Sequence, residues 1–233
     1  MNLERFGAQQ LLLDLSSGNP TLANFVAGGN AEVLQMLKDL LARRLDEGMI
    51  YLWGEAGCGK SHLLLACMEE ARKSGIESIH VSCRAGVRFD LDADFVAVDD
   101  VENLDDEGQI GLFHLYNRLR ERGGMLLASG NVPPAGAALR ADLSTRLGWG
   151  LVYQVHALCD EEKRDAIKAH ARARGFEISV EVVDYLMHHI RRDLATLVKM
   201  LDALDEYSRR EKRPITIPML KEIMRQDGKT QCV

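Results

Sequence analysis

The feature that most constrains this chain is one run of eight residues, Gly54-Glu55-Ala56-Gly57-Cys58-Gly59-Lys60-Ser61, which fits G-x-x-x-x-G-K-[ST] at every specified position. An apolar stretch, Ile50–Trp53, stands before it, and Ser61–Lys73, with apolar residues at helical spacing, stands after it. The order strand, glycine turn, helix has a chemical reason. Glycines let the loop fold back so that successive backbone N–H groups converge on phosphate oxygens. The helix that follows turns the positive end of its dipole to the same anion. Gly54, Gly57, Gly59, Lys60 and Ser61 are therefore expected to bind nucleotide, ADP or ATP, with Lys60 as a point charge for the β- and γ-phosphates. The Ser61 hydroxyl is expected to serve Mg²⁺, and His62, next on the helix, is counted with the nucleotide-binding residues. Cys58 occupies a free position of the pattern; filler is the plainer reading, with a redox role as the alternative.

A second apolar run ends in acid, Phe95-Val96-Ala97-Val98-Asp99-Asp100. Alone, an Asp-Asp pair most often marks a strand end meeting solvent. Beside a phosphate loop it gains another meaning, because carboxylates at a strand's C-terminal edge hold Mg²⁺ through water and polarise an attacking water. Asp99 is assigned to the metal and Asp100 to the water.

Five short apolar runs (Ile50–Trp53, Ile79–Cys83, Phe95–Val98, Met125–Ala128, Leu151–Val155) alternate with amphipathic stretches at Ala31–Glu47, Ser61–Lys73 and Gln109–Arg122. Strands apolar on both faces and joined by helices predict an α/β core, a five-stranded parallel sheet covered on both sides. Gly48, Gly75 and Gly123 are expected at helix C-caps. Beyond Val155 the strand signal stops: Asp160–Arg174, Ser179–Ile190, Asp193–Arg213 and Ile217–Arg225 read as helices, with Asp160 and Ser179 as N-caps, Gly175 as a C-cap, and a frayed tail from Met224. The predicted division is a tail over 1–20, an α/β core over 21–155 and a small helical lid over 156–233.

Charge narrows the partners. From His156 onward there are 15 Lys/Arg against 14 Asp/Glu; subtracted from 29 and 35, this leaves 14 against 21 over residues 1–155. A surface that neutralises many DNA phosphates needs clustered cations, so direct, tight duplex binding is disfavoured and DNA contact is expected to be indirect or weak. The basic run Arg209-Arg210-Glu211-Lys212-Arg213 is most simply a solvated helix end with its cations at the negative pole. The five cysteines (58, 67, 83, 159, 232) form no CxxC pair and no zinc spacing. Glu4, Arg5 and Asp14 interrupt anything resembling a secretory signal, and no apolar run is long enough to cross a bilayer, so a cytoplasmic location is expected.

Three further segments carry a resemblance. Leu126-Leu127-Ala128-Ser129-Gly130-Asn131-Val132-Pro133-Pro134, then Asp142-Leu143-Ser144-Thr145-Arg146-Leu147-Gly148-Trp149-Gly150, then Arg191-Arg192-Asp193-Leu194, together with Thr21-Leu22-Ala23-Asn24-Phe25-Val26-Ala27-Gly28, resemble the AAA+ domain of the bacterial replication initiator DnaA across residues 21–225. The resemblance implies an AAA+ P-loop core with a C-terminal helical lid. It also implies that Asn131 is the sensor-1 residue orienting a water, Arg146 an arginine finger, and Arg192 the sensor-2 arginine that reaches the nucleotide from the lid. Asn131 stands where an acidic residue is often found. Without the motifs around them, Arg146 would read as a surface arginine on a loop and Arg192 as a solvated lid charge.

Relative to such an initiator, no helix-turn-helix domain is expected after Val233 and no N-terminal domain before residue 21. There stands Gln10-Leu11-Leu12-Leu13-Asp14-Leu15, which is similar to the short peptide by which bacterial proteins dock on the sliding clamp. Gln10 would bond in a polar notch, with Leu11, Leu13, Asp14 and Leu15 completing the contact. An edge strand or a helix turn packed on the core is the plainer alternative. The implied function is a regulator of initiation that sits on the DNA-loaded clamp and stimulates hydrolysis of DnaA-bound ATP in trans through Arg146. A DnaA-related helicase loader and a nucleotide-regulated adaptor without effect on hydrolysis remain alternatives, and head-to-tail assembly with further copies is compatible with an AAA+ core.

Overall fold

The five apolar runs become five parallel strands, β1 (Met49–Trp53), β2 (Ser78–Ser82), β3 (Phe95–Asp99), β4 (Met125–Gly130) and β5 (Leu151–Gln154), in the spatial order β2-β3-β4-β1-β5. The computed structural model describes residues 20–190 and 193–227, and the backbone alone for the last three of these. The three central strands are buried along nearly their whole length, while the edge strands β2 and β5 are only partly covered. That is why the central runs lack alternation: each side chain has a helix layer above or below it.

Alternate strand residues feed two cores. Ile50, Leu52, Phe95, Ala97 and Leu127 pack with Val33, Leu37 and Leu40 of α1 (Ala31–Leu41) and Leu63, Leu64 and Met68 of α2 (Lys60–Lys73). On the opposite face Tyr51, Val96, Val98, Leu126 and Ala128 pack with Leu112, Leu115 and Leu119 of α3 (Asp106–Glu121) and Leu143 and Leu147 of α4 (Ala141–Trp149). Residues 20–157 form one compact unit around these cores.

The other unit contains α5 (Asp160–Ala173), α6 (Val180–His189), α7 (Leu194–Glu211) and α8 (Ile217–Asp227), packed around Ile167, Val183, Leu186, Leu197, Leu201 and Leu220. A polar chain runs from its interior, at His170 and Asp205, to its surface, at Arg209. Fully buried His170 bonds Asp202 at 2.7 Å, Arg174 bridges Asp202 and Asp205, and Arg209 also grips Asp205. Two cations of the basic run are thus engaged within their own helix, since Arg210 pairs with Glu211 and lies over Tyr207.

Several expected boundaries change. The first helix stops at Leu41 rather than Glu47, because Arg43 turns the chain at φ 54° and its guanidinium donates to the Gly123 carbonyl at 2.9 Å. Gly48 therefore caps no helix, whereas Gly75, Gly123 and Gly175 do occupy the left-handed position just past α2, α3 and α5. The cap of α5 is Cys159, not Asp160: its sulfur accepts from the Glu162 N–H while Glu162 bonds back to the Cys159 N–H. Ser179 caps α6 as expected. Met224 lies inside α8, which runs on to Asp227.

Ala141–Trp149, given no element from the sequence, is a helix, so Arg146 stands on a helix and not on a loop. Leu143 and Leu147, one helical turn apart, bury their side chains in the α3-side core. The Ser144 hydroxyl donates to the Pro134 carbonyl at 2.7 Å, and the Arg140 N–H at the helix start is taken by Gln109 at 2.7 Å.

Candidate phosphate-binding site

In a parallel sheet all carboxyl ends lie at one edge, so the loops after β1, β3 and β4 meet there. The register sets Trp53 beside Gly130 and Val98 beside Ala128. The Gly54 N–H donates to the Gly130 carbonyl at 3.2 Å, and the Val155 N–H to the Trp53 carbonyl at 2.7 Å. A Cβ on Gly54 would run into the Val155 carbonyl. Gly57 and Gly59 have φ of 79° and 108°, the left-handed region where side chains are strained, and a Cβ on Gly59 would stand 2.7 Å from the Phe25 ring.

These turns bring the loop back over the start of α2, whose first residue is Lys60. Its side chain is only 5% exposed, and its ammonium donates to the carbonyls of Gly54 at 2.7 Å and Glu55 at 3.1 Å and to Asn131 Oδ1 at 3.3 Å. Ser61 is exposed one residue later. His62 is turned to the segment before α1: its Nε2 lies 3.0 Å from the Thr21 carbonyl and its ring tilts against Phe25 at 5.5 Å. Burial holds its pKa below the usual histidine value, with the Thr21 carbonyl pulling the other way. Cys58 is buried in the loop, and that burial raises its thiol pKa despite nearby Lys60, so it lacks the thiolate character of a reactive cysteine.

The acidic edge is organised by a residue that sequence reasoning passed over. The Ser129 hydroxyl donates to Asp99 and accepts from the Asp100 N–H at 3.0 Å. It thereby orients the buried Asp99 carboxylate and the turn that follows. Asp100 is left-handed (φ 57°), which swings it out of the strand. Burial, then the charge of Asp99, raise the Asp100 pKa, with Lys60 opposing. Glu102, in the 3-10 turn Val101–Asn103, is a third acid here: both carboxylate oxygens are buried without a hydrogen-bond partner among the described residues, and burial raises its pKa. Tyr51 donates to the Val132 carbonyl at 3.1 Å, and its hydroxyl fills the space a Cβ on Gly130 would need. Ser129 and Tyr51 lie in segments the sequence singles out and Glu102 just past one, yet no sequence signal gave any of the three a task at the site.

Left-handed glycines, a helix N-terminus, a buried ammonium and an oriented carboxylate fit a magnesium-bound nucleotide di- or triphosphate. Arg146 belongs to another surface. It sits on α4, half-buried, its guanidinium carbon 4.1 Å from the Trp149 ring centre and 5.6 Å from that of Phe113. Arg192, Gln10, Leu11, Leu13, Asp14 and Leu15 lie outside the described residues.

Comparison with known proteins bears on both units. Residues 160–224 match the family described as "Hda, lid domain". Domain III of the replication initiation protein DnaA from Thermotoga maritima superposes with a TM-score of 0.73 at 18% identity, covering 88% of this chain and 95% of that one. AMPPCP-bound DnaA from Aquifex aeolicus gives 0.66 at 23% identity over 83% of this chain and 69% of that one. Thermotoga maritima RuvB gives 0.63 at 15% identity, covering 88% and 71%. The fold is that of DnaA-like AAA+ proteins, and residues 160–224 match the Hda lid family.

The segment that matches the Hda lid contains the His170–Asp202–Arg174–Asp205–Arg209 chain, and the unit with the DnaA-like fold contains the glycine loop and the acidic edge. No helix among the described residues is long and apolar enough to cross a membrane.

Proposed function

We propose that this protein is a cytoplasmic regulator of replication initiation of the Hda kind. On this reading it docks through Gln10–Leu15 on the DNA-loaded sliding clamp and stimulates hydrolysis of ATP held by DnaA. The observation that carries the proposal is Arg146, a cation on the DnaA-like core that makes no hydrogen bond or ion pair among the described residues and so keeps its donors for an outside anion. The Hda lid match supports the regulator over a helicase loader. A guanidinium delivered in trans stabilises charge spreading over the transferring phosphoryl oxygens, an effect of about 10³–10⁵ in rate, or roughly 4–7 kcal/mol of barrier.

The protein's own nucleotide, ADP or ATP, would be held by the loop N–H groups, Lys60 and the sensor-2 Arg192, with Ser61 and Asp99 toward Mg²⁺. The metal would supply charge neutralisation of the phosphates. Solved relatives of the fold include DnaA bound to AMPPCP, which fits the same use of the loop here. Asn131, bonded to the Lys60 ammonium, would link the loop to the end of β4, and Asp100 would accept a proton from water.

The decisive experiment is single-turnover hydrolysis of ATP pre-bound to DnaA, with and without this protein and DNA-loaded clamp. The intact protein should accelerate hydrolysis, and Arg146→Ala should abolish the acceleration while nucleotide binding and clamp retention persist. An adaptor without influence on hydrolysis would leave the rate unchanged even for the intact protein. Removing residues 1–16 should eliminate clamp retention and leave nucleotide affinity as it was; unaltered retention would overturn the docking assignment.

A further inference from the structure

Trp149 is 56% exposed, an unusual place for an indole that the core does not need. Three residues earlier on α4, on the same helical face, stands Arg146, whose guanidinium carbon lies 4.1 Å from the indole centre. The Phe113 ring of α3 approaches the same guanidinium at 5.6 Å, so two aromatic faces flank one cation. The other arginines of α3 and α4 are differently employed. Arg118 donates to the Phe89 carbonyl, and Arg122 and Arg140 pair with Asp92 and Asp142; Arg120 also lies over the Trp149 ring, farther off at 5.8 Å, but spends a donor on the Tyr116 hydroxyl. Among the described residues, Arg146 alone of these five makes no hydrogen bond or ion pair.

An aromatic face attracts a cation through its quadrupole and uses none of the guanidinium N–H groups. A carboxylate in the same place would occupy two of them and cancel the charge. The aromatic arrangement thus restricts a long, rotamer-rich side chain while leaving its fork of donors available to a planar or tetrahedral oxyanion.

We infer that Trp149 is a positioning residue: with Phe113 it holds the Arg146 guanidinium ready for a phosphoryl group on another molecule. This rests on the trans-acting role proposed above for Arg146. It also gives the tryptophan of the Arg-Leu-Gly-Trp-Gly segment a physical task. Positioning acts on the rate within the assembled complex, whereas a tryptophan that merely touches the partner alters how much protein is needed to form it.

The test measures single-turnover hydrolysis of DnaA-bound ATP across a concentration series of Arg146→Ala, Trp149→Ala, Trp149→Leu and Trp149→Phe, on full-length protein whose melting and ADP affinity match the parent. Phe keeps an aromatic face; Leu keeps apolar bulk without one. With Arg146→Ala inactive, the inference expects Trp149→Ala and Trp149→Leu to lose about three- to tenfold of the maximal rate at saturating protein, and Trp149→Phe to recover most of it. If Arg146→Ala is inactive while Trp149→Leu and Trp149→Ala keep the full maximal rate, or change only the half-maximal concentration, the positioning role is overturned and the arginine role survives. If Arg146→Ala is fully active, the underlying reading falls and the inference with it.

Discussion

The ammonium of Lys60 stands 3.3 Å from Oδ1 of Asn131, tying the glycine loop after β1 to the residue that follows β4. The two are 71 positions apart in the chain and meet because β1 and β4 are adjacent and parallel. The same ammonium also bonds two loop carbonyls, so on the proposed function it has two tasks: satisfying the loop and presenting charge to an anion.

The first prediction separates those tasks. Lys60→Ala should weaken ADP and ATP binding by about 10–100-fold, the worth of a charge-assisted contact to phosphate. It should lower unfolding stability by about 1–3 kcal/mol, because the Gly54 carbonyl loses its partner inside the loop while the Glu55 carbonyl lies nearer the surface. Calorimetric titration read beside a denaturant melt checks both. Equal affinity in the variant would show that the loop grips nucleotide without its lysine.

A second prediction concerns Gly130, where the Tyr51 hydroxyl occupies the space a Cβ would take. Gly130→Ala should destabilise by about 1–3 kcal/mol through overpacking at the end of β4. Combining it with Tyr51→Phe, which removes the obstructing oxygen, should return part of that loss. A double-mutant cycle with additive losses would mean that the two residues do not compete for the same space.

The third prediction lies in the lid and carries a pH dependence. Asp205 is almost fully buried; burial pushes its pKa up, but Arg209 and Arg174 together overcome this and hold it below the usual carboxylate value. A carboxyl whose folded pKa is depressed stabilises the fold above its unfolded pKa, and that contribution fades as pH falls through the folded value. Asp205→Ala should therefore cost about 1–3 kcal/mol at pH 7, and the difference from the parent should shrink only below about pH 4. Melting curves from pH 7 to pH 3 report it; a gap that closes already at pH 6 would assign the effect to another group.

What could be read from the residues alone was whatever is local in the chain. The phosphate loop is contiguous, and the central strands are nearly continuous apolar runs because they are covered on both faces. The helices of both units announced themselves by spacing, except α4, whose two core leucines are flanked by Ser144, Thr145 and Gly148 and give too short a pattern. Contacts made across the sheet needed the tertiary structure. Ser129 orients Asp99 from the neighbouring strand, Tyr51 fills the space beside Gly130, and Phe113 reaches Arg146 from another helix. None of these pairs is close in sequence, so no periodicity encodes them. A motif can name the residue that carries a charge; the packing around it decides which bonds that charge has already spent.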